Sequence, residues 1–245
     1  MIKIKNISKS FRTAQGITKA LKNVSMEIPE GCITVIAGEN GSGKSVLMSI
    51  LAELEDADSG EIFFDGEPNK KIGKKVGLVF QEAETQILGE TPREDISFGP
   101  KNIRMKKNEI EKAVQDALKK TGLTDKADFP ARFLSGGEKR RLAVACMISM
   151  QKPVIILDEP YANLDYGGIK QVNALIKELK NQKKTVIILT HEIEKCLGLA
   201  EKFIVLFRGK IMFEGSPVDA LEKNLEEWNI HNPLRSYNSL KDFVW

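Results

Sequence analysis

The sequence predicts an α/β protein with a mixed, mainly parallel sheet core, an N-terminal antiparallel β subdomain and an inserted α-helical subdomain. Three observations carry this reading. PVIILDEP (153–160) and KTVIILTHE (184–192) are nearly unbroken apolar strands joined by the helical stretch GIKQVNALIKELKNQ, the pattern of parallel strands covered on both faces. Residues 1–37 alternate short apolar segments with turns, which reads as antiparallel strands leading into a buried one. From about 82 to 150 the apolar spacing turns helical.

Taken in order, IKIKNI and KALKNVSMEI are the antiparallel strands and CITVIA the buried strand that follows. VLMSILAEL has helical length and pattern, and GEIFFDG is a strand between turn glycines Gly60 and Gly66. VGLVF (76–80) is a short apolar run that suits a buried strand, although periodicity alone leaves a helix open. NEIEKAVQDALKKTG sets Ile110, Ala113, Val114, Ala117 and Leu118 on one helical face, with Gly122 as C-cap. KFIVLFRGKIMFEG is a hairpin turning at Arg208–Gly209. A polar C-terminal segment follows, with Trp228 and Trp245 in it.

Composition narrows the class. The chain has 245 residues, 42% hydrophobic and 29% charged, as expected of an ordinary globular protein. A net charge of +3 without a long basic block argues against nucleic acid as partner. Lys139, Arg140 and Arg141 form a short basic cluster that can be a solvated face. Cys32, Cys146 and Cys196 are odd in number, dispersed and set among apolar residues, so they read as small buried hydrophobes in a reducing compartment. No run approaches the 18 or so apolar residues of a membrane span, so any membrane role is expected to come through a partner.

The chemistry concentrates in short motifs. GENGSGKS (38–45) fits G-x-x-x-x-G-K-[ST] between a strand and a helix. The backbone of Gly38, Asn40, Gly41 and Gly43 can cradle phosphates, Lys44 can reach the β and γ oxygens, and Ser45 can take a Mg²⁺ position. VIILDEP ends a strand on Asp158, suited to Mg²⁺, and Glu159, suited to activating or orienting water. His191 ends another strand of the same parallel sheet, and ligands bind at the carboxyl ends of such strands, which favours a γ-phosphate contact. His231 has no such setting and reads as a surface residue. Gln81 follows VGLVF at a further strand end. Finally, LSGGEKRR (134–141) reads as a loop opening a helix, with Ser135 and Glu138 as a capping box. Gly136 and Gly137 permit close approach of a backbone or a phosphate. This is either a capped helix start or a second anion site in one chain.

Together these motifs resemble the ATP-binding cassette (ABC) ATPases over about residues 1–215, with GENGSGKS as Walker A, Gln81 as Q-loop, LSGGEKRR as signature, VIILDEP as Walker B, ANLD (162–165) as D-loop and His191 as H-loop. The resemblance implies the P-loop NTPase fold of the ABC ATPases, with a helical subdomain inserted at about 82–150. It implies a Mg²⁺-dependent ATPase working as a head-to-tail dimer, each ATP held between one subunit's Walker A and the other's signature. Lys44, Ser45, Gln81 and Asp158 would then hold phosphate and metal. Glu159 would activate water, His191 would sense the γ-phosphate, and Ser135, Gly136, Gly137 and Glu138 would reach the partner's ATP. The family's adenine-stacking aromatic falls on Phe11, where tyrosine is commoner.

Within the family, VFQEAETQILGETPREDISFGP is similar to the ATPase subunits of energy-coupling-factor (ECF) transporters through Gln86, Thr91, Glu94, Asp95, Phe98, Gly99 and Pro100. Glu82 and Ala83 depart from the usual Asn-Pro. That resemblance implies a peripheral protein on the cytoplasmic face of the cell membrane. It would power uptake of a vitamin or a transition-metal ion. Its partners would be a second ATPase subunit, identical or similar, a transmembrane coupling subunit and a substrate-binding membrane subunit. Ile87, Leu88 and Phe98 can serve the coupling interface or the core of the helical insert. Residues 216–245 would be a C-terminal extension with dimer contacts. The alternatives are the ATPase of a conventional ABC importer or exporter, or a soluble ABC ATPase acting on nucleic acid.

Overall fold

A computed structural model describes residues 1–14, 16–68 and 72–234. Trp245 and the end of the expected C-terminal extension lie outside the described residues. The chain opens with β1 (Ile2–Thr13) and β2 (Gly16–Ile28), an antiparallel pair, and continues through β3 (Ile33–Ala37) into α1 (Lys44–Leu51). β4 (Ser59–Phe64) returns beside β1, and β5 (Glu67–Pro68) beside β4, to complete a four-stranded antiparallel sheet ordered β2-β1-β4-β5.

The second sheet holds six strands. β6 (Val76–Val79), β7 (Val154–Asp158), β8 (Thr185–Thr190) and β9 (Lys202–Phe207) join β3 in parallel, and β10 (Lys210–Gly215) closes the edge antiparallel, in the order β10-β9-β3-β8-β7-β6. The β9–β10 turn falls on Arg208 (φ 49°) and Gly209 (φ 78°), the left-handed pair that a two-residue hairpin requires. VGLVF is a strand, and its four sheet residues are all buried.

The unbroken apolar runs have a physical reason. On β3, β7, β8 and β9, alternate residues enter two different cores. Val35, Ile155, Val186, Ile188, Phe203 and Val205 face the helices, while Ile36, Ile156, Ile187, Leu189, Ile204 and Leu206 face α1 and the antiparallel sheet. A strand buried on both faces leaves little place for polar residues, and those present, Thr34 on β3, Asp158 on β7 and Thr185 and Thr190 on β8, are themselves buried. Each of the apolar side chains contributes about 1.5–3 kcal/mol through burial.

The inserted layer consists of α2 (Pro92–Asn102), α3 (Lys107–Thr121) and α4 (Gly136–Ser149). Thr91 caps α2 by accepting from the Glu94 amide, with Pro92 at the first helical position. α3 buries Val114, Ala117 and Leu118 and ends on Gly122, left-handed at φ 65°. Ser149 Oγ donates to the Ile96 carbonyl and holds α4 to α2. α5 (Tyr166–Asn181) links β7 to β8 across one face of the sheet. Beyond β10, α6 (Pro217–Leu221) and the turn at 225–228 pack on the same core through Ala220, Leu225 and Ile230. His231, read as a surface residue, is half-buried there.

The cysteines depart in part from expectation. All three are unpaired, but only Cys196 is fully buried. Cys146 is not purely apolar in its setting, because its thiol donates to Asp95 Oδ2 at 3.2 Å. Among the described residues no helix is long and apolar enough to cross a membrane.

Candidate nucleotide site

Sheet order places the motifs. β3, β8, β7 and β6 are neighbours, so the loops leaving their carboxyl ends share one edge. The loop after β3 is tightly specified. A Cβ on Gly38 would stand 2.2 Å from the Leu206 carbonyl oxygen, and one on Gly43, left-handed at φ 106°, would stand 2.7 Å from the Ala20 oxygen. Only glycine fits either position. α1 then starts without a side-chain cap or an acidic residue in its first turn, so its amide groups and positive dipole end are left for an anion. Asn40, Gly41 and Ser45 are exposed along this loop.

Lys44 is 5% exposed, and its ammonium donates to the carbonyls of Gly38 (2.6 Å) and Glu39 (3.1 Å). Burial pulls its pKa down, against the opposing pull of Glu159, Asp158 and Glu39. Asp158, at the end of β7, is also buried, and burial raises its pKa while a Ser45 hydrogen bond and Lys44 lower it. One Asp158 oxygen, Oδ1, is buried without a protein partner.

Glu159 is 4% exposed and has a left-handed backbone at φ 45°, unusual for glutamate. Its amide donates to the Leu189 carbonyl at 2.9 Å, which fixes that turn against β8. Its carboxylate accepts from the Thr190 hydroxyl at 3.0 Å, meets His191 Nδ1 at 2.9 Å and lies 3.8 Å from the Lys44 ammonium. Lys44, Ser45, Asp158, Glu159 and His191 therefore form one constellation. Gln81 stands at the end of β6 with an exposed side chain. Phe11 is half-buried on β1, opposite Thr18, with the Lys9 ammonium 5.2 Å from its ring centroid. That position is two residues, about 7 Å, along the hairpin from the Lys9–Leu21 pair, and a Cβ on Gly43 would stand 2.9 Å from Leu21.

The second helix start is separate. Ser135 and Glu138 form the expected reciprocal capping box, and Lys126 pairs with the Glu138 carboxylate. That pairing, with the Ser135 amide, holds the Glu138 carboxyl below its usual range. A Cβ on Gly137 would stand 3.7 Å from Leu164 of the D-loop, and one on exposed Gly136 would meet nothing within 4 Å. The chain's own packing does not require glycine there. In the D-loop Asn163 is left-handed (φ 58°), and Asp165 caps α5 by accepting from the Gly168 amide at 2.7 Å.

Three features escaped the sequence reading. Thr190 orients Glu159, and its only signal is its place before His191. Arg140, set among cationic neighbours, is buried rather than a solvated face. Its hint was the i+3 and i+4 spacing to Ala143 and Val144. Tyr161 is fully buried and donates to Asn173, whose amide donates to the Lys195 carbonyl just beyond His191.

The segment after Gln81 is built by its own residues. Gln86 accepts from the Phe80 amide and donates to the Leu78 carbonyl, clamping the end of β6. Asp95 accepts from the Leu88 and Gly89 amides, Glu94 from the Glu90 amide, and Gly99 packs against Met150. Ile87 packs against the core, whereas Leu88 (68%) and Phe98 (49%) stay exposed. Ile87 and Gly89, the chain neighbours of Leu88, line a groove of 720 Å³ together with Glu84, Thr91, Ala131, Arg132 and Lys139 among others.

Comparison with known proteins agrees with this architecture. A family model described as ABC transporter matches residues 21–162. The energy-coupling factor transporter ATP-binding protein EcfA1 of Mycoplasma mobile is 36% identical over 242 residues, spanning 96% of this chain and 87% of that protein. The EcfA protein of Carboxydothermus hydrogenoformans is 39% identical over 216 residues, 86% of this chain and 80% of its own. Among solved structures, CbiO1 of Clostridium perfringens, described as part of the ABC transporter complex CbiONQ, superposes with a TM-score of 0.81 at 33% identity, covering 91% of this chain and 90% of that one. A dimeric ATP-binding cassette, MJ0796, bound to ADP and Pi after hydrolysis, has a TM-score of 0.79 at 30% identity over 89% and 99% of the two chains. On the family match and on relatives similar over most of both chains, the protein belongs to the ABC transporter ATP-binding family.

Proposed function

We propose that this chain is the ATP-hydrolysing subunit of an ECF-type uptake transporter, powering entry of a micronutrient, a vitamin or a transition-metal ion. The observation that carries the reading is the pair of helix starts. One, at Lys44, has Asp158, Glu159 and His191 around it, while the other, at Gly136, is open and has no such set among the described residues of its own chain. An ATP held at the first and covered by the second of another copy satisfies both. The cassettes it resembles include a dimer with ADP and Pi.

In this reading the loop amides of Gly38, Asn40, Gly41 and Gly43 and the Lys44 ammonium bind the β- and γ-phosphates, and Phe11 stacks on adenine. Ser45, Asp158 and Gln81 would hold Mg²⁺. Among the described residues no three His, Cys, Asp or Glu side chains converge as a metal cage. A hydroxyl, a carboxylate with an unpartnered oxygen and an amide suit an ion that completes its shell with phosphate and water. When bound, Mg²⁺ neutralises phosphate charge. Glu159, aimed by Thr190, takes the proton of the attacking water. His191 orients that carboxylate and contacts the γ-phosphate. Ser135, Gly136, Gly137 and Glu138 close on the ATP of the partner subunit, and hydrolysis releases that closure.

The division into a cassette at 1–215 and an extension from 216 belongs to the same proposal, with dimer contacts assigned to the extension. The groove lined by Ile87, together with exposed Leu88 and Phe98, would receive the transmembrane coupling subunit, so that the protein sits peripherally on the cytoplasmic membrane face. Affinity purification of the chain from membranes tests this. Co-purification of a small coupling subunit and a substrate-binding membrane subunit supports the reading, and recovery of only ribosomal or DNA partners overturns it.

A further inference from the structure

Arg140 is a buried charge that the nucleotide chemistry does not use. Its residue exposure is 8%, and among the described residues it forms no ion pair. Arginine cannot discharge inside a protein, and burying a cation without an anion costs several kcal/mol unless hydrogen bonds offset it. Here the offset comes from backbone carbonyls. Nη1 donates to Pro160 O and to Ala162 O, and Nη2 donates to Gln81 O, each at 2.9 Å, while Nε has no partner. Space filling alone calls for leucine or methionine at such a place.

The three carbonyls are not a random set. Gln81 leaves the end of β6, Pro160 follows Glu159 directly, and Ala162 lies in the D-loop. One planar fork thus holds the loop beside Glu159 to a neighbouring strand end. The Glu159 backbone is left-handed and, among the described residues, is held by the Leu189 carbonyl and by the Ala162 amide, which donates to the Glu159 carbonyl at 3.2 Å. Such a turn keeps its shape only while its surroundings fix it. Arg140 also stands four residues after Gly136, one helical turn along the same face of α4. A rigid turn of helix therefore connects the signature loop to the fork.

We propose that Arg140 is a positioning residue that registers the signature helix against the strand end carrying Glu159. Its place ties the aim of a chain's water-activating carboxylate to where that chain's own signature sits on its partner's ATP. It touches no reacting atom. The proposal deepens the ATPase reading above and rests on it.

The test compares the full chain with Arg140→Met, which keeps length and removes every donor, and Arg140→Lys, which keeps the charge but loses the planar fork. The expected result is a fall in kcat of about tenfold or more, with KM and affinity for a fluorescent ATP analogue within about twofold and a cooperative melt retained. Hydrogen–deuterium exchange of the amides at 159–164 should quicken in Arg140→Met, while those at 38–45 stay unchanged. A kcat within twofold of wild type in both variants, unchanged exchange at 159–164, or loss of cooperative melting in both, overturns the proposal; the last would make Arg140 a purely structural residue. A wild-type chain that hydrolyses no ATP counts against the ATPase reading instead, and the exchange comparison still decides whether Arg140 holds the loop.

Discussion

The Glu159 carboxylate lies 2.9 Å from His191 Nδ1 although 32 residues separate them, because β7 and β8, which they follow, are hydrogen-bonded neighbours. Their registered pair of Asp158 with Leu189 brings the next residues of both strands side by side. A carboxylate so held, with Thr190 on its other oxygen, has one orientation and faces Lys44.

Glu159→Gln preserves the size of this group and its bond from Thr190 while removing the carboxylate proposed as the base. Turnover should fall by about 10²–10⁴-fold, the usual worth of a positioned general base. ATP binding should persist, and the ATP-bound dimer should accumulate. Single-turnover kinetics and size-exclusion chromatography with ATP measure both, and wild-type-like turnover would remove the base assignment.

Asp158 sets up a conflict between stability and function. Burial raises its folded pKa above that of the unfolded chain, so between the two values the native state holds a proton that the unfolded state has released. Stability therefore falls as pH rises through that window, and the cost is fully present above it. Asp158→Asn should raise the melting midpoint at pH 7 and flatten its pH dependence above pH 4. Recovery of about 1 kcal/mol would correspond to roughly 2–4 °C in a domain of this size. The same variant should lose Mg²⁺-dependent hydrolysis and the extra stabilisation by Mg²⁺-ATP. A lower midpoint at pH 7 would mean that the ionised carboxylate supports the fold.

Gly136→Ala separates the chain's needs from its partner's. The added methyl meets nothing within 4 Å, and alanine is the better helix former at the first position of α4. The melting midpoint should hold or rise, by at most about 1 kcal/mol of stability. ATP affinity of the monomer should be unchanged, and hydrolysis should drop at least about tenfold through lost closure on the partner's ATP. Calorimetry, equilibrium binding and steady-state ATPase assays on one preparation check all three. Full activity would argue that nothing approaches Gly136.

Much of this site was legible because its signals are local. Gly38, Gly43, Lys44 and Ser45 sit within one loop, and the apolar runs before Asp158 and His191 mark strands buried on both faces. Gly122 and the Ser135–Glu138 pair announce helix ends for the same reason. The strand order was not legible, since nothing in the run before His191 says that β8 lies between β3 and β7; pairing is fixed by packing far along the chain. Arg140 was misread because its burial rests on three carbonyls from residues 81, 160 and 162, and a carbonyl leaves no mark in a sequence. Gln86 and Asp95 likewise clamp backbone amides and carbonyls, so their part in shaping the segment after Gln81 appears only in the fold.

Leu88 and Phe98 give the last prediction, because both are large, apolar and uncovered while Ile87 packs against the core. Exposed apolar side chains are common singly, but Leu88 sits between Ile87 and Gly89, which line a groove of 720 Å³ able to take an occupant. Leu88→Glu and Phe98→Glu should change stability by no more than about 0.5 kcal/mol, as surface substitutions do. Ile87→Ala, which removes a packed side chain, should cost about 1–3 kcal/mol. If the groove receives the coupling subunit, the two glutamate variants keep ATP binding but no longer co-purify with membrane partners, and transport fails. Retention of those partners by both variants would move the membrane interface to another face of the protein.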